Sequence, residues 1–133
     1  MLFRSWFVLV FCEDEVSARD CYKKFDEMGD NGVLCDNENL IKALKEEDYE
    51  GIFKNITNAL SKPSLSLSKG MQDNYDKLLS LSPSAISVCG SGSTIFAMYE
   101  TEELCKWAAQ KLDKMGLKSE VVHSVSEKDI LLF

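Results

Sequence analysis

Residues 85–100 read AISVCGSGSTIFAMYE, and the fold turns on what the centre of this stretch does. AISVC and TIFAMY are short β-rich runs with only GSGS between them, which is the spacing of an antiparallel hairpin. The same glycines have a second use. Without Cβ atoms, Gly90 and Gly92 let backbone N–H groups converge on an anion, with the hydroxyls of Ser91, Ser93 and Thr94 as further donors. Spacing alone leaves both readings open. The loop lacks the Gly-Lys-Ser/Thr ending of a Walker A loop, and a Gly-x-Gly-x-x-Gly fingerprint fails at Ile95.

On the C-terminal side, TEELCKWAAQKLDKMG at 101–116 has the strongest helical pattern of the chain. Thr101 is placed to cap its start, Glu102 and Glu103 suit the positive end, and Leu104, Ala108, Leu112 and Met115 form an inward stripe that Gly116 ends. KSEVVHSV at 118–125 then reads as a last strand. On the N-terminal side, WFVLVFC at 6–12 is almost continuously apolar, as a central strand would be.

Between these strands lie helical patterns. SARDCYKKFDEM at 17–28 opens with Ser17 as a cap, with Cys21, Tyr22, Phe25 and Met28 on one face. NENLIKALKEED turns Leu40, Ile41 and Leu44 inward, and YEGIFKNITNAL follows after a bend near Asp48, with Tyr49, Ile52, Phe53, Ile56 and Leu60 inward. SKPSLSLS at 61–68 reads as a loop from its proline and serines. KGMQDNYDKLLSL resumes helical spacing through Met71, Tyr75, Leu78 and Leu79. The expected order is β-α-α-α-α-β-β-α-β. That is an α+β fold: a small, mainly antiparallel four-stranded sheet with helices packed on one face.

The 133 residues, 45% hydrophobic and 28% charged, suit one domain. A net charge of −7 argues against nucleic acid or an anionic membrane as partner, because both call for clustered Lys and Arg. Cys12, Cys21, Cys35, Cys89 and Cys105 are too far apart for a zinc knuckle or a dithiol motif, so free thiols in a reducing cytoplasm are expected and no metal site is assigned. The first apolar run is too short to span a bilayer and EDE closes it.

Other candidates for chemistry are weaker. His123, beside Val121 and Val122, reads as structural, since no Ser or Cys is placed by motif as its nucleophile. Cys89 abuts the glycine loop, whose amides would lower its pKa, against the plainer reading of a small side chain at a strand end. Glu103, Asp113 and the EED at 46–48 read as solvated helix faces.

The order of elements together with SVCGSGSTIFAMYETEE resembles the C-terminal, ferredoxin-like domain of GHMP-type small-molecule kinases. Trp6 to Val10 resemble that family's central strand, Val16-Ser17 with Tyr22 its VST and following Tyr, Asn58 and Leu60 an N-x-L in the middle helix, and Gly90 to Thr94 with Phe96 a GSGPTVF string. Ala18, Cys89, Ser93 and the CEDE after the first strand depart from it.

The resemblance implies transfer of the ATP γ-phosphate to a hydroxyl of a small-molecule substrate, with Mg²⁺ neutralising the phosphates. Gly90, Ser91, Gly92, Ser93 and Thr94 would support the phosphate loop and the substrate side of an interdomain cleft, with Ser17 and Asn58 near it. The ATP loop and the catalytic Asp and Lys belong to the family's N-terminal domain, which no segment here matches. No catalytic residue is therefore assigned in this chain, its partner is that N-terminal domain, and alone it is expected to be inactive.

MLFRS at residues 1–5 matches the translation of a common sequencing-adapter tail, so a non-native leader is expected there, with the kinase domain over 6–133. Homoserine and mevalonate-type members share the loop and are the alternative within the family. A free-standing α+β ligand-binding module is the alternative outside it. Gly92→Val is expected to reduce turnover while leaving the fold largely intact, by blocking close approach to the loop backbone.

Overall fold

The computed structural model describes residues 5–14, 16–29, 37–90 and 92–125. Along the chain run β1 (Trp6–Phe11), α1 (Ala18–Met28), α2 (Asn37–Lys45), α3 (Tyr49–Asn55), α4 (Ser61–Leu67), α5 (Lys69–Leu79), β2 (Ala85–Val88), β3 (Thr94–Tyr99), α6 (Glu102–Lys114) and β4 (Lys118–His123). The strands form one sheet in the order β2-β3-β1-β4, every neighbouring pair antiparallel. The α+β class and the β2–β3 hairpin are as the sequence led us to expect. Val8 sits opposite Ala97 on one side and Val121 on the other, so the most apolar strand is a central one. Beyond β1, Ser5 and Ser124 exchange hydrogen bonds, Ser5 N to Ser124 Oγ at 2.8 Å and Ser124 N to Ser5 O at 2.9 Å. Met1 to Arg4, the bulk of the expected leader, lie outside the described residues, as does Cys35.

Alternation along the strands divides the sheet into two faces. Val8, Val10, Ile95, Ala97 and Tyr99 face the main core, where Met71 and Leu78 of α5 and Cys105, Ala108 and Leu112 of α6 cover them. The sequence expectation of helices on one face holds for this layer. A smaller layer was not foreseen. Phe7, Phe96 and Met98 point the other way and are met by Ala43 of α2 and Ile52 and Phe53 of α3. Such large apolar side chains gain about 1.5–3 kcal/mol each from burial, so the second face is not left to water.

Three local expectations are corrected. Residues 61–67 form helix α4 rather than a loop, which puts five helices, not four, between β1 and β2. Pro63 lies in the first turn, where its missing N–H costs nothing, and both Pro63 and Ser64 are fully buried. Tertiary packing thus overrides a serine-rich composition. The helix expected over 49–60 stops at Asn55, so Asn58 and Leu60 sit in the connection to α4 and not in a helix. On α2 it is Ala43 that is buried, whereas Ile41 and Leu44 are exposed. A Cβ on Gly51 would lie 3.0 Å from the Ala43 Cβ, so α2 and α3 meet through small residues.

The caps at Ser17 and Thr101 were legible: Ser17 accepts from Asp20 N and Thr101 from Leu104 N. Asp48, read from the sequence only as a bend, caps α3 by accepting from Gly51 N. Gly116, at φ 82°, follows the end of α6.

Deep in the main core the Tyr99 hydroxyl donates to Leu81 O at 3.1 Å. Burial, reinforced by nearby Cys105, raises Tyr99 from 10.0 to about 12. Burial also raises the Cys105 thiol from 9.0 to about 11, with a backbone bond at Tyr99 opposing it. Both are acids whose neutral form the fold prefers. Their contribution to stability is complete below the unfolded values and is lost as pH climbs through the folded ones. The thermal midpoint should therefore fall between pH 9 and pH 11, the interval between the two Cys105 values, and Cys105→Ala should flatten that fall in a fluorimetric melt series.

Candidate functional site

The hairpin between β2 and β3 is closed by Cys89 N donating to Thr94 O at 2.8 Å, and Gly92 N donates back to Cys89 O at 3.0 Å. Gly90 has φ 56° and Gly92 φ 114°, both in the region that only glycine enters freely. The two glycines differ in their surroundings. A Cβ on Gly90 would meet nothing within 4 Å, whereas one on Gly92 would stand 2.6 Å from Ser64 Oγ and 3.1 Å from Met71 Sδ. The loop is thus pressed onto α4 and α5 at Gly92 and open at Gly90.

The connection between α3 and α4 holds the other side of the loop. Asn58 Nδ2 donates to Val88 O at 2.7 Å and to Gly90 O at 2.8 Å, while its Oδ1 accepts from Leu60 N at 3.0 Å. Next to it, Ser61 Oγ accepts from Val88 N at 3.4 Å and lies 3.3 Å from Ser87 Oγ. β2 is an edge strand, and these side chains occupy the N–H and C=O that Val88 presents on it. A cavity of about 340 Å³ opens beside the clamp, lined by Asn55, Ile56, Asn58, Cys89, Gly90 and Phe96 among others.

On the β1 side, Cys12 N donates to Ser93 O at 3.3 Å, and Asn74 Nδ2 reaches Cys12 Sγ at 3.3 Å. Ser68 caps α5 by accepting from Met71 N and in turn donates to Asp14 Oδ2 at 3.1 Å. A carboxylate therefore already stands against the first turn of α5, where partial positive charge favours it.

The sequence-derived residues divide as follows. Gly90, Gly92, Ser93 and Thr94 come together in the loop, and Ser91 lies outside the described residues. Asn58 touches the loop directly. Ser17 is exposed and its hydroxyl oxygen is engaged in capping α1, a helix that packs on α4. Cys89 is not an activated thiol: burial raises its pKa, as it also does for Cys12, where the Asn74 bond only partly offsets it. His123 serves structure, its ring edge-on to Trp6 at 5.1 Å between centroids. Ser64 and Met71, which form the loop's floor, were missed. No local signal marks Ser64 within a serine run, and Met71 reads as ordinary core.

A two-glycine hairpin loop is thus seated on a helical layer at one end of a four-stranded antiparallel sheet. Residues 40–116, more than half of the chain, match the family described as GHMP kinases C terminal, and the chain belongs to that family.

More particularly, it is 30% identical over 93 residues to 4-diphosphocytidyl-2-C-methyl-D-erythritol kinase of Listeria monocytogenes serotype 4b, covering 70% of this chain and 31% of the relative. It is 26% identical over 115 residues to the enzyme of that name from Carboxydothermus hydrogenoformans, covering 86% of this chain and 40% of the relative. The chain thus spans 31% and 40% of the lengths of these curated relatives. A crystal structure of 4-(cytidine 5'-diphospho)-2C-methyl-D-erythritol kinase superposes with a TM-score of 0.69 at 18% identity, over 90% of this chain and 42% of that one, and shows the shared fold.

Proposed function

We propose that this domain forms the acceptor side of an ATP-dependent small-molecule kinase that phosphorylates a hydroxyl of 4-diphosphocytidyl-2-C-methyl-D-erythritol, a step of non-mevalonate isoprenoid biosynthesis. The observation that carries this reading is the loop at Gly90–Thr94, closed against α4 and α5 at Gly92 and open at Gly90. Phosphoryl transfer relies on positioning and charge stabilisation more than on covalent chemistry by the protein. A loop seated on α4 and α5 with an open outer side is suited to that task. Ser93 and Thr94 hydroxyls and the loop amides other than that of Gly92, which is bonded to Cys89 O, are the donors we assign to the acceptor, with Ser91 in the same loop and Ser17 at the cleft margin.

ATP and Mg²⁺ are assigned to a second, nucleotide-binding domain as principal holder, and that domain is the partner we assign. Among the described residues no group of three His, Cys, Asp or Glu side chains gathers as a metal site. Bound there, ATP supplies the phosphoryl group and Mg²⁺ screens its charge, while this chain orients the acceptor. On its own the chain should not turn over. The cytoplasm is the compartment we assign, from the free thiols. No helix among the described residues is long and apolar enough to cross a membrane.

The test joins this chain to the nucleotide-binding part of the Listeria monocytogenes relative and follows ADP release with each candidate acceptor. ADP should form with the cytidylated methylerythritol and not with homoserine or mevalonate. Turnover of either of those instead would move the domain to the alternative kinase type. A folded chimera that spares ATP with all three, beside tight binding of a small ligand by the chain alone, would favour a free-standing binding module.

A further inference from the structure

We infer that Asn58 is a positioning residue for the Gly90–Thr94 loop, tying the α3–α4 connection to the carbonyls on either side of Cys89. The inference rests on the acceptor-side reading above and deepens it. Both amide protons of Asn58 are committed, to Val88 O and Gly90 O at 2.7 and 2.8 Å, and its oxygen holds Leu60 N at 3.0 Å. A side chain with both donors spent cannot also donate to a bound acceptor. Its effect on a ligand is exerted through the loop.

The side chain required is specific. Asp has no donors and would set a carboxylate against two carbonyl oxygens, Ser brings one donor where two are used, and Gln is longer by a methylene. The partners lie 30 and 32 positions away in sequence, so the bonds do more than cap a local turn. Holding Gly90 O restrains the carbonyl through which the chain leaves Gly90. A Cβ on Gly90 would meet nothing within 4 Å among the described residues, and at φ 56° Gly90 sits in the region glycine enters most freely. At Gly92 the contacts with Ser64 and Met71 hold the loop from below. Asn58 supplies the restraint that Gly90 otherwise lacks.

The experiment labels the chain with ¹⁵N-glycine, whose seven residues give a sparse amide spectrum. In Asn58→Ala and Asn58→Asp the Gly90 and Gly92 signals should move, and exchange of the Gly92 amide, bonded to Cys89 O, should accelerate about tenfold. The Gly116 signal should stay in place as a check on the fold. Ser61→Ala, which removes the neighbouring hydroxyl from Val88 and keeps Asn58, should disturb Gly90 less. In the chimera, Asn58→Ala should raise KM for the alcohol about tenfold and leave KM for ATP unchanged. Unmoved Gly90 and Gly92 signals in both Asn58 variants would overturn the clamp. Moved signals with an unchanged KM for the alcohol would overturn its role in positioning. If the unmutated chimera phosphorylates none of the acceptors, the kinase reading falls, and the glycine signals still decide the clamp.

Discussion

Gly92→Val should lower the unfolding free energy of the chain by about 2–4 kcal/mol, and with it the integrity of the candidate site. Two costs add. The φ of 114° lies where a β-branched residue is an outlier, and the new Cβ would begin 2.6 Å from Ser64 Oγ and 3.1 Å from Met71 Sδ. Both neighbours are fully buried, Ser64 having little side chain to move and Met71 filling the main core. The sequence reading expected a substitution here to act from outside, on approach to the loop, and to spare the fold. The structure puts the missing side chain underneath, so stability and site should fail together. Gly90→Ala supplies the contrast: φ is 56° and space is open, so a loss of only about 1–2 kcal/mol is expected. Urea unfolding of the two variants measures the difference. A Gly92→Val midpoint equal to that of Gly90→Ala would refute the pressed-loop account. Partial recovery of Gly92→Ala by Ser64→Gly would locate the clash.

What could be read from the sequence was whatever is settled within a few residues. The Ser17 and Thr101 caps each bond to an amide three positions on, and their residue types announce them. β1 was legible because a central strand, with a neighbour on each side and Val8 and Val10 in the main core, is apolar throughout. The hairpin was legible because only a short glycine-rich loop joins two β-rich runs. The failures share a different cause. α4 has Leu60 at its N-cap with no side-chain cap and holds Pro63, so nothing local promotes it, and its burial does the work instead. Ala43 faces inward on α2 although Ile41 and Leu44 are the more apolar, because the close approach to Gly51 admits only a small residue. The loop was found, and so was Asn58, but the direction of the Asn58 bonds and the floor at Ser64 depend on partners far along the chain. Composition carries no trace of such pairings.

The second core makes a testable link between fold and site. Ile52→Ala should cost about 2–5 kcal/mol of local stability, because a fully buried branched side chain is removed from a small cluster with little material to refill the space. Among the described residues that cluster holds only Ala43, Ile52, Ala85 and Met98 as buried members, whereas the main core joins three strands to α5 and α6. The loss should therefore fall on α2 and α3 first, as a local opening rather than global unfolding. Hydrogen exchange should show amides of residues 37–55 losing protection while those of β1, β3 and α6 keep theirs. Asn58 follows α3 by three positions, so the clamp should loosen as well, and exchange at Gly92 should rise although nothing near Gly92 has changed. Leu112→Ala, in the main core, should instead lower protection across both layers together. Simultaneous loss of β1, β3 and α3 protection in Ile52→Ala would show the two cores to be one cooperative unit. The loop would then be held by the stability of the whole domain, with no separate dependence on the α2–α3 layer.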